Sequence, residues 1–311
     1  MSAAADRKVV LVTRPSRLHE LIAKYHTLAQ ARFYLEHLGA DLSDYIAEDQ
    51  ALAASLERVQ AALQAWGRHQ VIDRSHLPNF LFGADDIVVA LGQDGLVANT
   101  MKYLEGQPLI GVNPDAARWD GVLLPFEAAA LPGLLTQVSR EQRAAKAVTM
   151  AEVRLSDGQR LRAVNELFIG PSSHGSALYD LAVGGEEERQ SSSGVIVSTG
   201  LGSTAWLKSV VTGSMNLAMA AMPGTPRAVY TPLPWDAPHL VYAVREPFPS
   251  RSSQASLIYG QVTAGSPMRL RSRMPEHGVI FSDGMEADFL RFTAGIEAMV
   301  SVSPTSGTLV V

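Results

Sequence analysis

Three short stretches of this chain have residue types and spacings suited to work on a polar ligand. The first is Gly92-Gln93-Asp94-Gly95. A carboxylate set between glycines can take a proton from an attacking hydroxyl, and the glycines let backbone come close to a phosphate. The competing reading is a strand-to-helix turn with Asp94 as a helix N-cap. The second is the run from Ser191 to Trp206, SSSGVIVSTGLGSTAW, where a β-rich piece enters a loop of Gly, Ser and Thr ahead of a helix-like segment. Such a loop offers bare N–H groups and hydroxyls to a bound polar ligand. A helix start with Ser203 or Thr204 as N-cap explains the same residues more plainly. The third is Asn165-Glu166 inside the apolar run Ala163 to Ile169. Two adjacent polar residues cannot both face solvent on an alternating strand. One must face the core, another element or a ligand, unless a bulge or strand end intervenes.

Several other chemistries are set aside. Gly200-Leu201-Gly202-Ser203-Thr204-Ala205 matches the GxGxxA pattern of dinucleotide-binding turns. However, it lies in a β-rich region, and no Asp or Glu follows between Ala205 and Trp235 to hold a ribose. No Gly-Lys-Ser/Thr closes it as a P-loop. The chain has no cysteine, which removes disulfides, thiolate catalysis and Cys-based metal sites. Its eight histidines show no metal-ligand spacing, so no metal-ligating residue is assigned. Ser282-Asp283-Gly284 reads as a hairpin turn, and Trp119, Trp206 and Trp235 read as packing residues.

The elements that must position these stretches change character along the chain. Apolar strands are expected at Lys8–Thr13, Asp86–Leu91 and Pro108–Asn113, with helices at Leu18–Leu38, Ala47–Trp66 and Leu96–Leu104. That alternation implies a Rossmann-like α/β domain with a largely parallel sheet over residues 1–145. From residue 146 to 302 strands follow one another: Val148–Leu155, Leu161–Ile169, Ser176–Val183, Gly194–Thr199, Leu240–Val244, Gln254–Gln261, Met268–Ser272, Gly278–Phe281 and Ala298–Val302. One helix, Thr204–Met222, interrupts them. A β-rich, sandwich-like second domain follows, and the strand Ala298–Val302 and the tail over 303–311 are candidates to return to the first. Net charge is −5 from 26 basic and 31 acidic residues, with no basic block suited to nucleic acid or a membrane surface. The apolar run Val9–Val12 has strand length rather than the length of a signal or membrane segment, so a cytoplasmic protein is expected.

Taken in order, Gly92-Gln93-Asp94-Gly95, Ile110-Gly111-Val112-Asn113, Asn165-Glu166, Ser198 to Trp206 and Ser282-Asp283-Gly284 resemble the NAD kinase family. Asn165 to Gly170, Gln190 to Gly194, Gly202 to Trp206 and Val244-Arg245-Glu246-Pro247 resemble its mitochondrial-type members and their bacterial relatives. The resemblance implies an α/β domain, a β-rich domain and a site between them. It implies a homo-oligomer that transfers the γ-phosphoryl group of ATP, with Mg2+, to the 2′-hydroxyl of the adenosine ribose of NAD(H). On this reading Asp94 deprotonates the hydroxyl, Gly92 and Gly95 make room for phosphate, and Asn165 and Glu166 bind NAD hydroxyls. Thr204, Ala205 and Trp206 line the NAD pocket with Ser209 beside them, and Asp283 has the weakest claim to a role. The chain departs from the family's Gly-Gly-Asp-Gly-Thr motif at Gln93 and Leu96, and Gln93 either crowds the phosphate path or hydrogen-bonds it. The donor is ATP or polyphosphate. Two other functions remain open: a kinase with the same Gly-x-Asp-Gly loop acting on a sugar or lipid, and a dinucleotide-binding protein with little turnover.

Overall fold

Wholly apolar strands need cover on both faces of their sheet, and the residues up to Lys146 supply it. In the computed structural model, which describes residues 7–222, 224, 226 and 229–311, strands and helices alternate there. They are β1 (Val9–Thr13), α1 (Arg17–Tyr25), α2 (Leu28–His37), α3 (Leu42–Trp66), β2 (His69–Asp73), β3 (Ile87–Leu91), α4 (Asp94–Met101), β4 (Pro108–Asn113), β5 (Phe126–Glu127), α5 (Leu131–Ser139) and β6 (Ala145–Val148). On one face Val9, Leu11, Ile87, Val89, Leu91, Ile110 and Val112 pack against Val59 and Leu63 of α3 and Leu131 and Leu135 of α5. Each such side chain contributes roughly 1.5–3 kcal/mol on full burial. α4, buried from Leu96 to Met101, packs against β3 and β4. A helix this uniformly buried belongs in a core rather than at a surface.

The second unit, which runs from Ala147 to Gly307, is built almost wholly of strands. They are β7 (Ala151–Leu155), β8 (Arg160–Ala163), β9 (Glu166–Pro171), β10 (Ala177–Val183), β11 (Glu186–Ser192) and β12 (Val195–Ser198), then after α6 (Trp206–Ala221) β13 (His239–Val244), β14 (Tyr259–Thr263), β15 (Met268–Ser272), β16 (Gly278–Ser282), β17 (Met285–Arg291) and β18 (Glu297–Val302). They form two antiparallel six-stranded sheets, ordered β11-β10-β15-β18-β7-β8 and β14-β13-β12-β9-β16-β17. Val153, Tyr179, Leu270 and Val300 of one sheet meet Leu167, Ile169, Val197, Tyr242 and Ile280 of the other in a shared core. The outer face of the second sheet is partly covered by α6, where Leu207 packs on Val241 and Ala243. A last strand, β19 (Gly307–Val310), completes the first unit's sheet, which runs β2-β1-β3-β4-β19-β6 with β5 on β4.

Several expected elements are corrected. The single helix over Leu18–Leu38 is two helices. His26 takes a left-handed φ of 67°, and Thr27, in extended backbone, caps α2 by accepting from the N–H of Gln30 at 3.2 Å. The helix expected at Ala47 starts at Leu42 because Asp41 caps it through the N–H of Ser43. The strand over Val148–Leu155 is β6 and β7, in different sheets, and that over Leu161–Ile169 is β8 and β9, broken at Val164-Asn165. The strand placed at Gln254–Gln261 begins only at Tyr259, and β2 was not expected from its sequence at all. The Ala298–Val302 segment stays in the second unit as β18; only Thr308–Val311 rejoins the first.

Candidate active site

In the first unit, β3 runs into Gly92, and α4 begins at Asp94. Gln93, not Asp94, occupies the N-cap position, and it makes no side-chain cap bond. The Asp94 carboxylate is therefore not spent on the helix start. Its Oδ1 accepts the N–H of Leu123 at 2.8 Å, and its other oxygen takes no hydrogen bond from a described residue. The segment that supplies Leu123 is pinned by the Ile110-Gly111-Val112-Asn113 stretch. A Cβ at Gly111 would lie 2.0 Å from the carbonyl oxygen of Leu123, so only glycine admits the segment so close to β4. Asn113 holds the same segment by donating from Nδ2 to the carbonyl of Trp119 at 2.9 Å. A Cβ at Gly92 would press on Leu96 at 2.9 Å, whereas Gly95 is exposed with open space beside it. Leu96, where the resembled motif has Thr, is 3 % exposed and serves the core.

In the second unit the break at Val164-Asn165 is built from three sides. Asp283 and Gly284 form the two-residue turn between β16 and β17, with φ of 54° and 68°. Both angles are positive, as the tight hairpin turn requires. The turn aims the Asp283 carboxylate at the break, where it accepts the N–H groups of Val164 (3.0 Å), Asn165 (2.6 Å) and Glu166 (3.3 Å). From the opposite side, Thr199 donates its hydroxyl to the carbonyls of Val164 (2.5 Å) and Asn165 (3.1 Å) and accepts the N–H of Gly202. A Cβ at Gly202 would lie 2.0 Å from the Asn165 carbonyl oxygen, and one at Gly200 would lie 1.8 Å from that of Pro234. The glycines in this loop thus serve close backbone packing rather than a dinucleotide turn.

Alternation along β9 then sends Leu167 and Ile169 into the sandwich core and leaves Glu166 and Phe168 on the outer face. Phe168 stacks on Trp206 at 5.5 Å and on its cross-strand partner Phe281 at 6.2 Å. Gly170 and Gly194 leave room for its ring, since a Cβ at either would come within 2.7 Å of it. The Arg245 guanidinium lies 5.3 Å from the Trp206 ring. These residues, with Glu166, Asp283 and Gly284, line a cavity of about 270 Å³. Glu166 Oε2 is buried without a partner among the described residues. Burial, and then the neighbouring Asp283 charge, push the Glu166 carboxyl up to about 7. The slot pairs flat aromatic walls with one underused carboxyl, a combination that suits a ring joined to a hydroxyl-bearing sugar.

Of the residues singled out from sequence, the structure brings Glu166 and Trp206 together at this cavity. Asn165 lies in the break beside it, its side-chain amide without a partner among the described residues. Thr204 and Ala205 are exposed just before α6, and Ser209 is exposed on that helix; none of the three lines the cavity. Neither Ser203 nor Thr204 caps α6: Ser203 donates to the Gly200 carbonyl and accepts from Leu233 N–H instead. Phe168, Phe281 and Arg245 were missed as site residues, and Asp283, given the weakest claim to a role, lines the cavity with them. Trp206, weighed as packing and, by the resemblance, as a pocket residue, is a cavity wall. A larger hollow of about 780 Å³, lined by Arg7, Lys8, Arg68, Asp85 and Asp86, sits at the N-terminal ends of the parallel strands. Open α/β sheets bind ligands at the other end, so the smaller cavity and the Asp94 loop are the better candidates.

The fold is that of the NAD kinases. The chain superimposes on the yeast NADH kinase complexed with NADH over 98 % of its length and 83 % of that chain, with a TM-score of 0.61 and 15 % identity. It also matches the NAD kinase from Archaeoglobus fulgidus in complex with ATP over 97 % of its length and 92 % of that chain, with a TM-score of 0.53 and 16 % identity. No family model and no curated protein sequence matches the chain.

Proposed function

We propose that this chain is an NAD(H) kinase. The observation that carries the reading is the Asp94 carboxylate, fixed at the end of a buried strand by one N–H group, with its second oxygen left open. On this reading that oxygen takes the proton of the 2′-hydroxyl as the ribose oxygen bonds to the γ-phosphorus of ATP. The bond to the bridging oxygen then breaks and ADP leaves. Asn165 and Glu166 hold ribose hydroxyls, and the Phe168–Trp206 walls take a ring of the dinucleotide. The neighbours solved with NADH and with ATP support that substrate pair. Among the described residues no group of three or more His, Asp or Glu side chains could hold a metal ion. A Mg2+ ion would instead arrive with the donor and would neutralise phosphate charge.

The test is incubation of the purified protein with ATP or tripolyphosphate, Mg2+, and NAD or NADH, following NADP(H). Product that disappears in Asp94→Asn, with unchanged thermal melting, is the expected result. One rival is a dinucleotide-binding protein without turnover, in which Gln93 would obstruct the phosphate loop. Tight NAD binding with no product from any donor would establish that rival, and absence of both binding and turnover would point to a sugar or lipid acceptor.

A further inference from the structure

Gln93 stands where the resembled loop has its second glycine, and its side chain is not idle. Arg14, the residue after β1, donates from Nη1 to Gln93 Oε1 at 2.9 Å and from Nε to the Pro15 carbonyl at 3.3 Å. β1 and β3 are neighbouring parallel strands, while β2 lies on the far side of β1. The strand order therefore reverses between them, and their carboxyl ends frame the crevice where open α/β sheets take ligands.

Two features of this pair point to an anion. A guanidinium only donates, so the oxygen of the Gln93 amide must face Arg14 and its NH2 group must face away. That NH2 group meets no partner among the described residues. Arg14 is also singular among the nearby arginines. Arg17 holds Glu48 and Asp44, Arg74 holds Glu20, and Arg118 holds Asp44 and Asp115, whereas Arg14 has no carboxylate partner among the described residues. It is partly buried, and burial lowers its pKa. Glu20 and Glu48 lie near enough to favour its charge but neither pairs with it, and Arg74 and Arg17 oppose them, so the guanidinium keeps donors free for an anion.

We propose that Arg14 and Gln93 form the subsite for the terminal phosphates of the donor, with the guanidinium and the Gln93 NH2 group donating to the same phosphate chain. Gln93 is thus a working substitute for the glycine rather than an obstruction. The proposal rests on the kinase reading of Asp94 and deepens it.

The test is calorimetric titration of the full chain with sodium tripolyphosphate and, separately, with ATP. Arg14→Ala should weaken both by about 10- to 100-fold, the range for loss of a charged hydrogen-bonding partner. Gln93→Gly should weaken both by about 3- to 10-fold, the range of one neutral hydrogen bond. The double variant should bind within about twofold of Arg14→Ala, because the two side chains act as one unit. NAD affinity, followed by tryptophan fluorescence, should not change. If Arg14→Ala fails to fold, Arg14→Lys and Gln93→Gly carry the test, since lysine keeps the charge and loses the fork. Tripolyphosphate binding that Arg14→Ala leaves within about twofold overturns the subsite, as does a loss confined to ATP. Absence of triphosphate binding by the unsubstituted chain overturns it as well. The two ideas fail separately: NADP formed without a role for Arg14 sinks only the subsite, and phosphate binding through Arg14 without NADP sinks only the kinase.

Discussion

Replacing Glu166 with Gln should change how stability depends on pH. The Glu166 carboxyl is buried against Phe168 and Asp283, and its value rises from 4.5 to about 7. A carboxyl whose folded value lies above its unfolded one stabilises the fold while it is protonated. That contribution is complete below about pH 4.5 and is lost as pH climbs to about 7. The rise spans about 2.5 pH units at about 1.36 kcal/mol each, so the loss amounts to about 3 kcal/mol at most. Glutamine keeps the shape and cannot ionise, so it removes this slope. Urea unfolding of both proteins at half-unit steps from pH 4.5 to 8, followed by fluorescence, measures it. The unsubstituted chain should lose stability relative to Glu166→Gln across that window, and the difference should level off above about pH 7.5. Parallel stability curves would refute the reasoning, because they would mean that the carboxyl is as well solvated folded as unfolded.

Asp283→Ala leaves the N–H groups of Val164, Asn165 and Glu166 without their acceptor. It should cost about 2–4 kcal/mol in denaturant unfolding and weaken NAD binding by calorimetry. Gly202→Ala, whose Cβ would sit 2.0 Å from the Asn165 carbonyl oxygen, should destabilise by about 3 kcal/mol or more, visible as a lowered melting temperature. Thr199→Val keeps the volume but loses three hydrogen bonds and should cost about 1–3 kcal/mol in the same assay. Gly111→Ala forces the Leu123 segment off β4 and with it the N–H that fixes Asp94. NADP formation should fall through kcat, with the KM for NAD unchanged within about twofold.

Where burial alone decides structure, the sequence was legible. Val9–Val12 and Ile87–Leu91 announce covered strands because nothing polar interrupts them. The site was legible as three stretches but not as contacts. Asn165-Glu166 could be read as an anomaly in a strand; that the strand breaks there depends on Asp283, more than a hundred residues away. Asp283 in turn reads only as a turn residue, since its hydrogen bonds are invisible in local pattern. Phe168 looked like one more core residue. Only the empty space at Gly170 and Gly194, which no periodicity encodes, shows that it forms a wall. The same holds for Gly200 and Gly202, whose spacing copies a nucleotide fingerprint for a reason of backbone packing. His26 and Thr27 split a helix that apolar spacing alone had joined, because capping acts residue by residue.

The placement of β19 has a consequence for synthesis. Its residues, Gly307–Val310, form an interior strand of a sheet whose other members all lie before residue 149. As the chain leaves the ribosome, β5 can pair with the Val112–Asn113 end of β4, but the Pro108–Leu109 end keeps an open edge through the whole translation of the sandwich, and β6 has no neighbour to join. The second unit can close first, although it is made later. The first remains a template for wrong pairing until its last strand arrives. A chain truncated just short of Gly307 and released from the ribosome should accordingly be protease-resistant across the sandwich and cleavable within the α/β unit.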